Sequence, residues 1–398
     1  MFSIKSKLEP SLKLALNKKY YKNYRIIIQC NSIMEKIEKK IKRSGCSVIR
    51  SIPYVNCICA IVSTHILDRL IEFPEVKYIT WDIKATLCGK NVFSANRVGF
   101  SDKYKLTGKN ICIALIDSGT YPHPDLISGK NRIKKFLDLI NNLKYPYDDN
   151  GHGTFMSGII SGNGKLSNGT YCGIAENSSI YSIKAFNSIG YGYIGDILFG
   201  IQCAIEDSED LNLKIICLPF EINSRDQFTL SLFQKLFDIA VKNNIAVITA
   251  SGNSGSFEGS IQGISTLNNC ITVGGIDTTS HNIELYEYSS CGPFCKIQKP
   301  DLVAACVDIC SINSNTAYIS EKGGKKLYPS ALNEPYTCYT GTSCAAAYIS
   351  GICSLLYENN PDLNFNDLVS LLRISCKFLN LPKWCQGSGM IDFEKFAL

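Results

Sequence analysis

The sequence predicts an α/β protein in which helices cover both faces of a parallel sheet, preceded by a small ferredoxin-like α+β domain. From about residue 107 onward, short apolar segments alternate with segments whose apolar residues recur at helical spacing. Residues 24–82 instead follow the order strand, helix, strand, strand, helix, strand, which is typical of one antiparallel sheet with two helices on one face. We therefore expect a domain of residues 1–90, with an ordered core at about 24–82, and a larger domain of residues 91–398.

The small domain is predicted from six segments. We expect strands at 24–30, 48–52, 57–62 and 76–82 and helices at 32–43 and 65–73. In the first helix Ile33, Ile37 and Ile41 are spaced four residues apart, so one face of the helix is apolar. The domain is rich in lysine, but it lacks a reader motif or interleaved aromatic residues, and nucleic acid is therefore not an expected partner.

The larger domain is predicted from apolar strands that alternate with helices. We expect strands at 111–116, 180–185, 214–218, 245–250 and 270–273 and helices at 195–206, 230–241, 343–357 and 366–374. Short strands that are apolar throughout are typical of a parallel sheet with both faces covered. This pattern indicates three layers, with the sheet between two layers of helices.

Composition and length exclude several classes of protein. With 398 residues, of which 45% are hydrophobic and 19% charged, the chain can bury a full core and is neither disordered nor fibrous. The longest apolar runs are far shorter than the roughly 20 residues that a membrane-spanning helix needs, so no membrane is expected as a partner. The first 24 residues lack the apolar core of a secretory signal, and we expect a cytoplasmic protein.

The 19 cysteines are scattered along the chain, and we expect reduced thiols that pack as small hydrophobic side chains. Four of them, Cys291, Cys295, Cys306 and Cys310, form two CxxxC pairs whose spacing suits a zinc site. The second pair lies in an apolar, strand-like stretch, where core packing explains it equally well. A zinc-dependent module therefore stays an alternative, and our expectation is that the chain holds no metal.

Four polar residues stand at the ends of predicted strands or the starts of predicted helices. Asp117 ends the first strand of the larger domain, where open α/β sheets place their sites. His152 lies between two glycines at the start of an apolar run, and Asn253 follows a strand in ASGNSG. Ser343 begins a long helix, where backbone N–H groups can stabilise an anion. Taken singly, each residue could also be a turn or cap residue.

In this order the four segments resemble those of the subtilisin-like serine proteases, the subtilase family. Subtilisin itself has the order Asp, His, Ser. The matching stretches DSGTYPHPDL, DDNGHGT, ASGNSG, KPDLVA and GTSCAA extend over nearly all of residues 107–375. The YPHPDL segment is most similar to the leaderless, intracellular type of bacterial subtilase. The resemblance implies a three-layer α/β/α subtilisin-like fold and a serine endopeptidase that acts on protein or peptide substrates.

The resemblance also implies a role for each of the four residues. Ser343 would be the nucleophile, His152 the general base and acid, and Asp117 the group that orients His152. The side chain of Asn253 and the backbone N–H of Ser343 would hold the oxyanion. No cofactor is implied; calcium stabilises many members of the family, but we find no clear carboxylate loop for it here.

Subtilases often carry an inhibitory propeptide of the β-α-β-β-α-β type, and residues 1–90 resemble one. The resemblance implies that this domain inhibits the enzyme inside the same chain, with residues 83–90 lying in the active-site cleft as a product-like strand. Self-cleavage is then expected near Leu87 or Cys88.

The residues expected to bind substrate depart from the family pattern on one side of the cleft. We expect the cleft to be lined by Gly190, Tyr191, Gly192, Pro219, Phe220, Glu221, Ala250, Ser251 and Gly252. Where the family has a Ser-Leu-Gly edge strand, this chain has Pro219, Phe220 and Glu221. Side chains in place of glycine narrow the cleft, and Glu221 favours basic substrate side chains. The altered edge also leaves open a catalytically silent subtilase fold that acts as a binding or signalling scaffold.

Overall fold

The computed structural model describes residues 7–31, 33–87, 106–280, 282–292 and 298–392, with the backbone alone at 84–87. The chain divides into two compact units. The N-terminal unit comprises residues 1–84, 193–203 and 226–236, and the large unit comprises residues 85–192, 204–225 and 237–398.

The helices of both units follow in chain order: α1 (Pro10–Asn17), α2 (Met34–Arg43), α3 (Thr64–Leu70), α4 (Pro124–Ile127), α5 (His152–Ser161), α6 (Ile194–Glu206), α7 (Ser208–Leu211), α8 (Gln227–Lys242), α9 (Thr342–Asn359), α10 (Phe365–Ile374) and α11 (Lys383–Gln386). The strands are β1 (Asn23–Cys30), β2 (Ser47–Ile52), β3 (Cys57–Ser63), β4 (Val76–Trp81), β5 (Lys84–Leu87), β6 (Cys112–Asp117), β7 (Ile133–Asp138), β8 (Ser179–Lys184), β9 (Tyr191–Tyr193), β10 (Leu213–Leu218), β11 (Phe220–Glu221), β12 (Ala246–Ala250), β13 (Ile271–Asp277), β14 (Glu284–Leu285), β15 (Leu302–Ala305), β16 (Ile309–Ile312), β17 (Glu321–Lys322), β18 (Lys325–Lys326), β19 (Tyr336–Tyr339), β20 (Cys376–Lys377) and β21 (Met390–Ile391).

The N-terminal unit is built on an antiparallel sheet with the strand order β2-β3-β1-β4. The six predicted segments all form, with small shifts at their ends. Helix α1 is an addition that the sequence analysis did not predict. The carboxylate of Glu9 caps its N-terminus by accepting from the backbone of Ser11 and Leu12, and Leu12 and Leu16 are buried in the core of the unit.

An ion-pair network joins β1 to the start of α6 within the N-terminal unit. Arg25 donates to Asp82 at 2.7 Å and to Asp196 at 2.6 Å, and its guanidinium lies 3.5 Å from the ring centroid of Tyr193. Asp82 also accepts from the backbone N–H of Gly195 at 2.6 Å. Burial raises the pKa of Asp82 to about 6, although Arg25 and the Gly195 N–H both favour the charged form.

The large unit contains a ten-stranded sheet with the order β20-β21-β15-β13-β12-β10-β6-β8-β7, and β14 pairs with β13. From β21 through β7 the neighbouring strands are parallel, while β20 and β14 are antiparallel additions. The predicted α/β class is confirmed. Helices α5 and α9 pack on each other and on the sheet, and both are buried over most of their length.

The expectation that all cysteines are reduced is wrong for one pair. Cys310 and Cys338 are direct partners in the antiparallel pairing of β16 with β19, with Cα atoms 4.2 Å apart, and they form a disulfide. Cys310 is therefore not available as a zinc ligand. Cys306 is buried in the core, and Cys295 lies outside the described residues. Among the residues that the structure describes, no group of three or more His, Cys, Asp or Glu side chains could hold a metal ion.

In the described part of the chain, no helix combines the length and hydrophobicity that a membrane span requires.

Replacing Asp82 by Asn should change how the stability of the N-terminal unit depends on pH. Because its pKa is about 6 in the folded unit and about 4 in an unfolded chain, Asp82 binds a proton more tightly when folded. Its contribution to stability is therefore complete below about pH 4 and is lost as the pH rises through about 6. An uncharged Asn removes this loss.

The measurement is thermal unfolding followed by Trp81 fluorescence in a Trp384→Phe background between pH 4 and 7. We expect Asp82→Asn to gain stability relative to its parent as the pH rises. The exposed Asp68, replaced by Asn, serves as the control. Parallel pH profiles for Asp82→Asn and its parent would contradict the assignment.

Candidate active site

Asp117 and His152 form a buried pair at the carboxyl edge of the large sheet. Asp117 is the last residue of β6, and His152 is the first residue of α5. Both carboxylate oxygens lie 2.9 Å from His152 Nδ1. This contact places the proton on Nδ1 and leaves Nε2 as the proton acceptor of the ring. A carboxylate in this position also stabilises an imidazolium, so the pair is suited to take up and return a proton.

A second buried carboxylate, Asp148, holds the loop that carries His152. It accepts from the backbone of Gly151 and Thr154, each at 2.8 Å, and from the Thr154 hydroxyl at 2.7 Å. Ser118 donates to Asp148 at 2.9 Å and accepts from the backbone N–H of Gly153 at 2.9 Å. Asp148 thus links the residue after Asp117 to the first turn of α5. The sequence analysis missed this role, although the acidic residue stands in the same DDNGHGT segment.

The two glycines beside His152 are both required by the backbone. Gly151 has φ of +100°, a conformation that side chains rarely adopt. A Cβ at Gly153 would collide with the carbonyl oxygen of Gly119. The close approach of α5 to the end of β6 therefore depends on glycine at position 153.

Ser343 lies at the start of α9, where it is fully buried, and Asn253 contacts the residue before it. Asn253 Oδ1 accepts from the backbone N–H and from the hydroxyl of Thr342, each at 3.3 Å. Because a backbone N–H can only donate, this contact fixes which end of the amide is oxygen. Asn253 Nδ2 donates no hydrogen bond within the described part of the chain. The amide therefore presents an unused donor beside the N-terminus of α9.

Tyr339 lies beside His152 and close to Cys344 at the start of α9. Its ring centroid is 6.4 Å from that of His152 and 4.6 Å from that of Phe155, with edge-on geometry in both pairs. Burial raises the pKa of Tyr339, and the nearby Asp148, Cys344 and Asp117 raise it further. One ring thus lies near the Asp117–His152 pair and near the residue after Ser343. Sequence analysis did not identify Tyr339, because no local pattern around it indicates this position.

The predicted cleft residues lie along two short strands with a third strand between them. The strand order is β11-β5-β9, and in the antiparallel pairing of β5 with β11 Leu87 lies opposite Phe220 and Thr86 opposite Glu221. A segment of the chain thus occupies the position between these strands in the manner of an added peptide strand. Cys88, the second residue expected at the processing bond, lies outside the described residues.

The other predicted cleft residues lie on β9 or β12 or in the segments that adjoin β9, β11 and β12. Tyr191 and Gly192 belong to β9, and Gly190 precedes them in a turn with φ of +79°. Pro219 separates β10 from β11. Ala250 ends β12, and the buried Ser251 and Gly252 lead from it to Asn253. The backbone N–H of Asn253 donates to Glu221 Oε2 at 2.7 Å, a contact between the two predicted walls of the cleft.

Asp117 and His152 form a pair at the carboxyl edge of a parallel sheet, and Ser343 begins α9, the helix that packs on the helix of His152. This arrangement is typical of the class of serine hydrolases. Residues 108–387 match the family model of the Peptidase_S8 or subtilase family. The chain belongs to the subtilase family, and it is a subtilisin-like serine protease.

Two curated relatives and one solved structure give the extent of the similarity. The serine protease AprX of Bacillus subtilis is 31% identical over 355 residues, which cover 85% of this chain and 78% of AprX. Subtilisin E of Bacillus subtilis is 25% identical over 396 residues, covering 97% of this chain and 92% of that protein. Fervidolysin from Fervidobacterium pennivorans, described as a keratinolytic enzyme related to subtilisin, superimposes with a TM-score of 0.70 at 17% identity, covering 94% of this chain. The chain spans 61% of the length of fervidolysin, and that similarity concerns the fold.

Replacing Asp148 by Ala should lower kcat/KM by about 10- to 100-fold, because the loop before α5 would lose the acceptor that fixes the position of His152. Peptide hydrolysis measures the effect, and the rate of labelling by a fluorophosphonate, which also depends on proton uptake by His152, should fall as well without any peptide substrate being involved. Asp362→Ala, at an exposed position, is the matched control. A kcat/KM equal to that of the parent would show that Asp148 does not position His152.

Proposed function

We propose that this chain is a serine endopeptidase that hydrolyses peptide bonds of protein or peptide substrates with Ser343, His152 and Asp117. The observation that carries the proposal is the 2.9 Å contact of both Asp117 oxygens with His152 Nδ1, in a chain of the subtilase family. That contact fixes the tautomer in which Nε2 can accept a proton. The packing of α5 on α9, the helix that contains Ser343, supports the assignment of the nucleophile.

In the proposed reaction, Ser343 Oγ attacks the carbonyl carbon while His152 Nε2 takes its proton. The imidazolium that forms is stabilised by Asp117 and then gives the proton to the departing amine. Water then attacks the acyl carbon while His152 Nε2 takes one of its protons. The bond between the acyl carbon and Ser343 Oγ breaks, His152 returns the proton to Oγ, and the acyl group leaves as a carboxylic acid. Each of these steps moves a proton through one ring nitrogen, and no cofactor is required.

The negative charge that develops on the carbonyl oxygen needs donors that are already oriented. We assign this role to Asn253 Nδ2 and the backbone N–H of Ser343. The anchoring of Asn253 Oδ1 by Thr342 supports the assignment, because it directs the amide without using Nδ2. A preoriented donor lowers the barrier without reorganisation at the moment of reaction.

The decisive experiment compares the parent with Ser343→Ala and Asn253→Ala on denatured casein and with a fluorophosphonate probe. Ser343→Ala should lose both labelling and hydrolysis. Asn253→Ala should keep the nucleophile but lose about 10² to 10³ in turnover, a magnitude established for subtilisin, a member of this family. Parent protein that neither reacts with the probe nor cleaves casein would instead indicate a catalytically silent scaffold.

We further propose that residues 1–90 are an inhibitory propeptide and that the strand 84–87 is the product-like occupant of the cleft. The support is the position of β5 between β9 and β11, where its backbone pairs as an extended substrate would. Cleavage close to Leu87 or Cys88 would leave this strand as the new C-terminus of the propeptide. The enzyme would thus be made in a form that blocks itself.

Self-processing predicts a defined mass change in purified protein. The parent should yield a fragment that begins at about residue 88 to 92, near the predicted bond, because the strand already lies in the cleft. Ser343→Ala should remain a single intact chain of 44.0 kDa. Intact mass spectrometry checks both results, and an active parent preparation that contains only intact chain would refute self-processing.

We also propose a cytoplasmic location. The support is the cysteine usage: fifteen described cysteines are free thiols, against one described disulfide, and disulfide-rich proteins belong to oxidising compartments. Calcium stays unassigned, because the described residues contain no cluster of carboxylates for it.

A further inference from the structure

The edge strand β11 carries a carboxylate directly beside the oxyanion donor. Glu221 pairs through its backbone with residue 86 of β5, so it belongs to the strand edge that holds an extended peptide. Its Oε2 accepts from the backbone N–H of Asn253 at 2.7 Å. The carboxylate therefore lies one hydrogen bond away from the residue proposed to bind the carbonyl oxygen of the substrate.

The negative charge of Glu221 is not neutralised within the described chain. No Lys, Arg or His among the described residues forms an ion pair with it, and the second carboxylate oxygen has no hydrogen-bond partner there. The side chain is only half-buried. A carboxylate in such a position gains from a cation that a ligand brings, because one side is already removed from water.

Glycine at position 252 leaves room for this carboxylate in its present position. A Cβ at Gly252 would stand 2.8 Å from Glu221 Oε2 and 3.1 Å from Ser290 Oγ. Ser290 in turn accepts from the backbone N–H of Ser254 at 2.9 Å. The surface next to Asn253 is thus lined by a carboxylate and a hydroxyl rather than by apolar side chains, which suits a polar, cationic substrate group.

We propose that Glu221 is a specificity-determining residue that selects Lys or Arg at P1, the residue whose carbonyl is attacked, in substrates that bind from solution. The bond near Leu87 or Cys88 does not need this selection, because the same chain already holds its strand between β9 and β11 at a high effective concentration. The inference rests on the proposed function, since P1 is defined by the assignment of Asn253 to the oxyanion. A side chain projecting from that residue starts close to Asn253, and Lys and Arg are long enough to bring their charge to the free Glu221 oxygen. A hydrogen bond between two charged groups discriminates by about 10- to 100-fold against an uncharged side chain of similar shape.

The test uses the purified full-length chain after any self-processing and three peptides that differ only at P1, which is Lys, norleucine or Glu. The parent should cleave the Lys peptide with a kcat/KM about 10- to 100-fold above that of the norleucine peptide, and the Glu peptide most slowly. Glu221→Gln retains an acceptor for the Asn253 N–H but loses the charge, so it should reduce the ratio of Lys to norleucine to near one. Asp362→Asn, at an exposed position, should leave the ratio as in the parent.

Two outcomes would overturn the inference. The first is a parent that shows no preference for the Lys peptide. The second is a Glu221→Gln variant that keeps the parent's ratio of Lys to norleucine cleavage, which would show that Glu221 does not select the P1 side chain. If that variant is also slower on all three peptides, Glu221 has a structural role only. A fluorophosphonate probe separates these results from failure of the proposed function. Labelling of Ser343 with a flat P1 profile refutes the specificity inference alone, whereas absence of labelling and of cleavage refutes the enzyme assignment and this inference with it.

Discussion

The structure of the site depends on one contact, the bond between the buried Asp117 carboxylate and Nδ1 of His152. A carboxylate taken out of water at the end of a sheet strand is costly unless hydrogen bonds compensate for it. Part of the compensation is the backbone N–H of Ser118, which donates to Asp117 Oδ1 at 2.6 Å. The rest comes from His152 on α5, and this helix must therefore begin at a fixed height above the end of β6. Glycine at 153 permits that approach, and Asp148 secures the loop before it. The position of α5 thus depends on the hydrogen bonds that the buried Asp117 carboxylate requires.

Much of the fold could be predicted from local patterns, and the exceptions have physical reasons. The central strands of the large sheet are apolar throughout, so their sequences alone identify them. Strands β16 and β19 have four residues each, and their pairing joins positions 28 residues apart in the chain. Helix α1 was missed because it has only eight residues, and its buried side chains, which include Leu12 and Leu16, form a narrow apolar stripe interrupted by Lys13. The order of the four site segments was recognisable because each has a distinctive local sequence.

The contacts that organise the site were less accessible to sequence analysis. Asp148 acts through donors from several neighbouring positions, and the anchoring of Asn253 by Thr342 joins residues 89 positions apart. The disulfide was unexpected for a related reason: Cys310 pairs with Cys338 only through the register of two strands 28 residues apart in sequence. The CxxxC spacing directed attention to Cys306 instead, which lies in the core. Spacing along the chain indicates partners well only when they share one helix or one strand.

The central position of β5 affects how the large unit could be produced by itself. Strands β9 and β11 each offer backbone donors and acceptors to β5, and β11 consists of two residues preceded by a proline that has no N–H. Without residues 84–87, both would become open strand edges on either side of a gap one strand wide. Open edges recruit any extended chain, including neighbouring copies. Preparations that begin after residue 87 are therefore best kept dilute, or supplied with a short extended peptide that fills the gap.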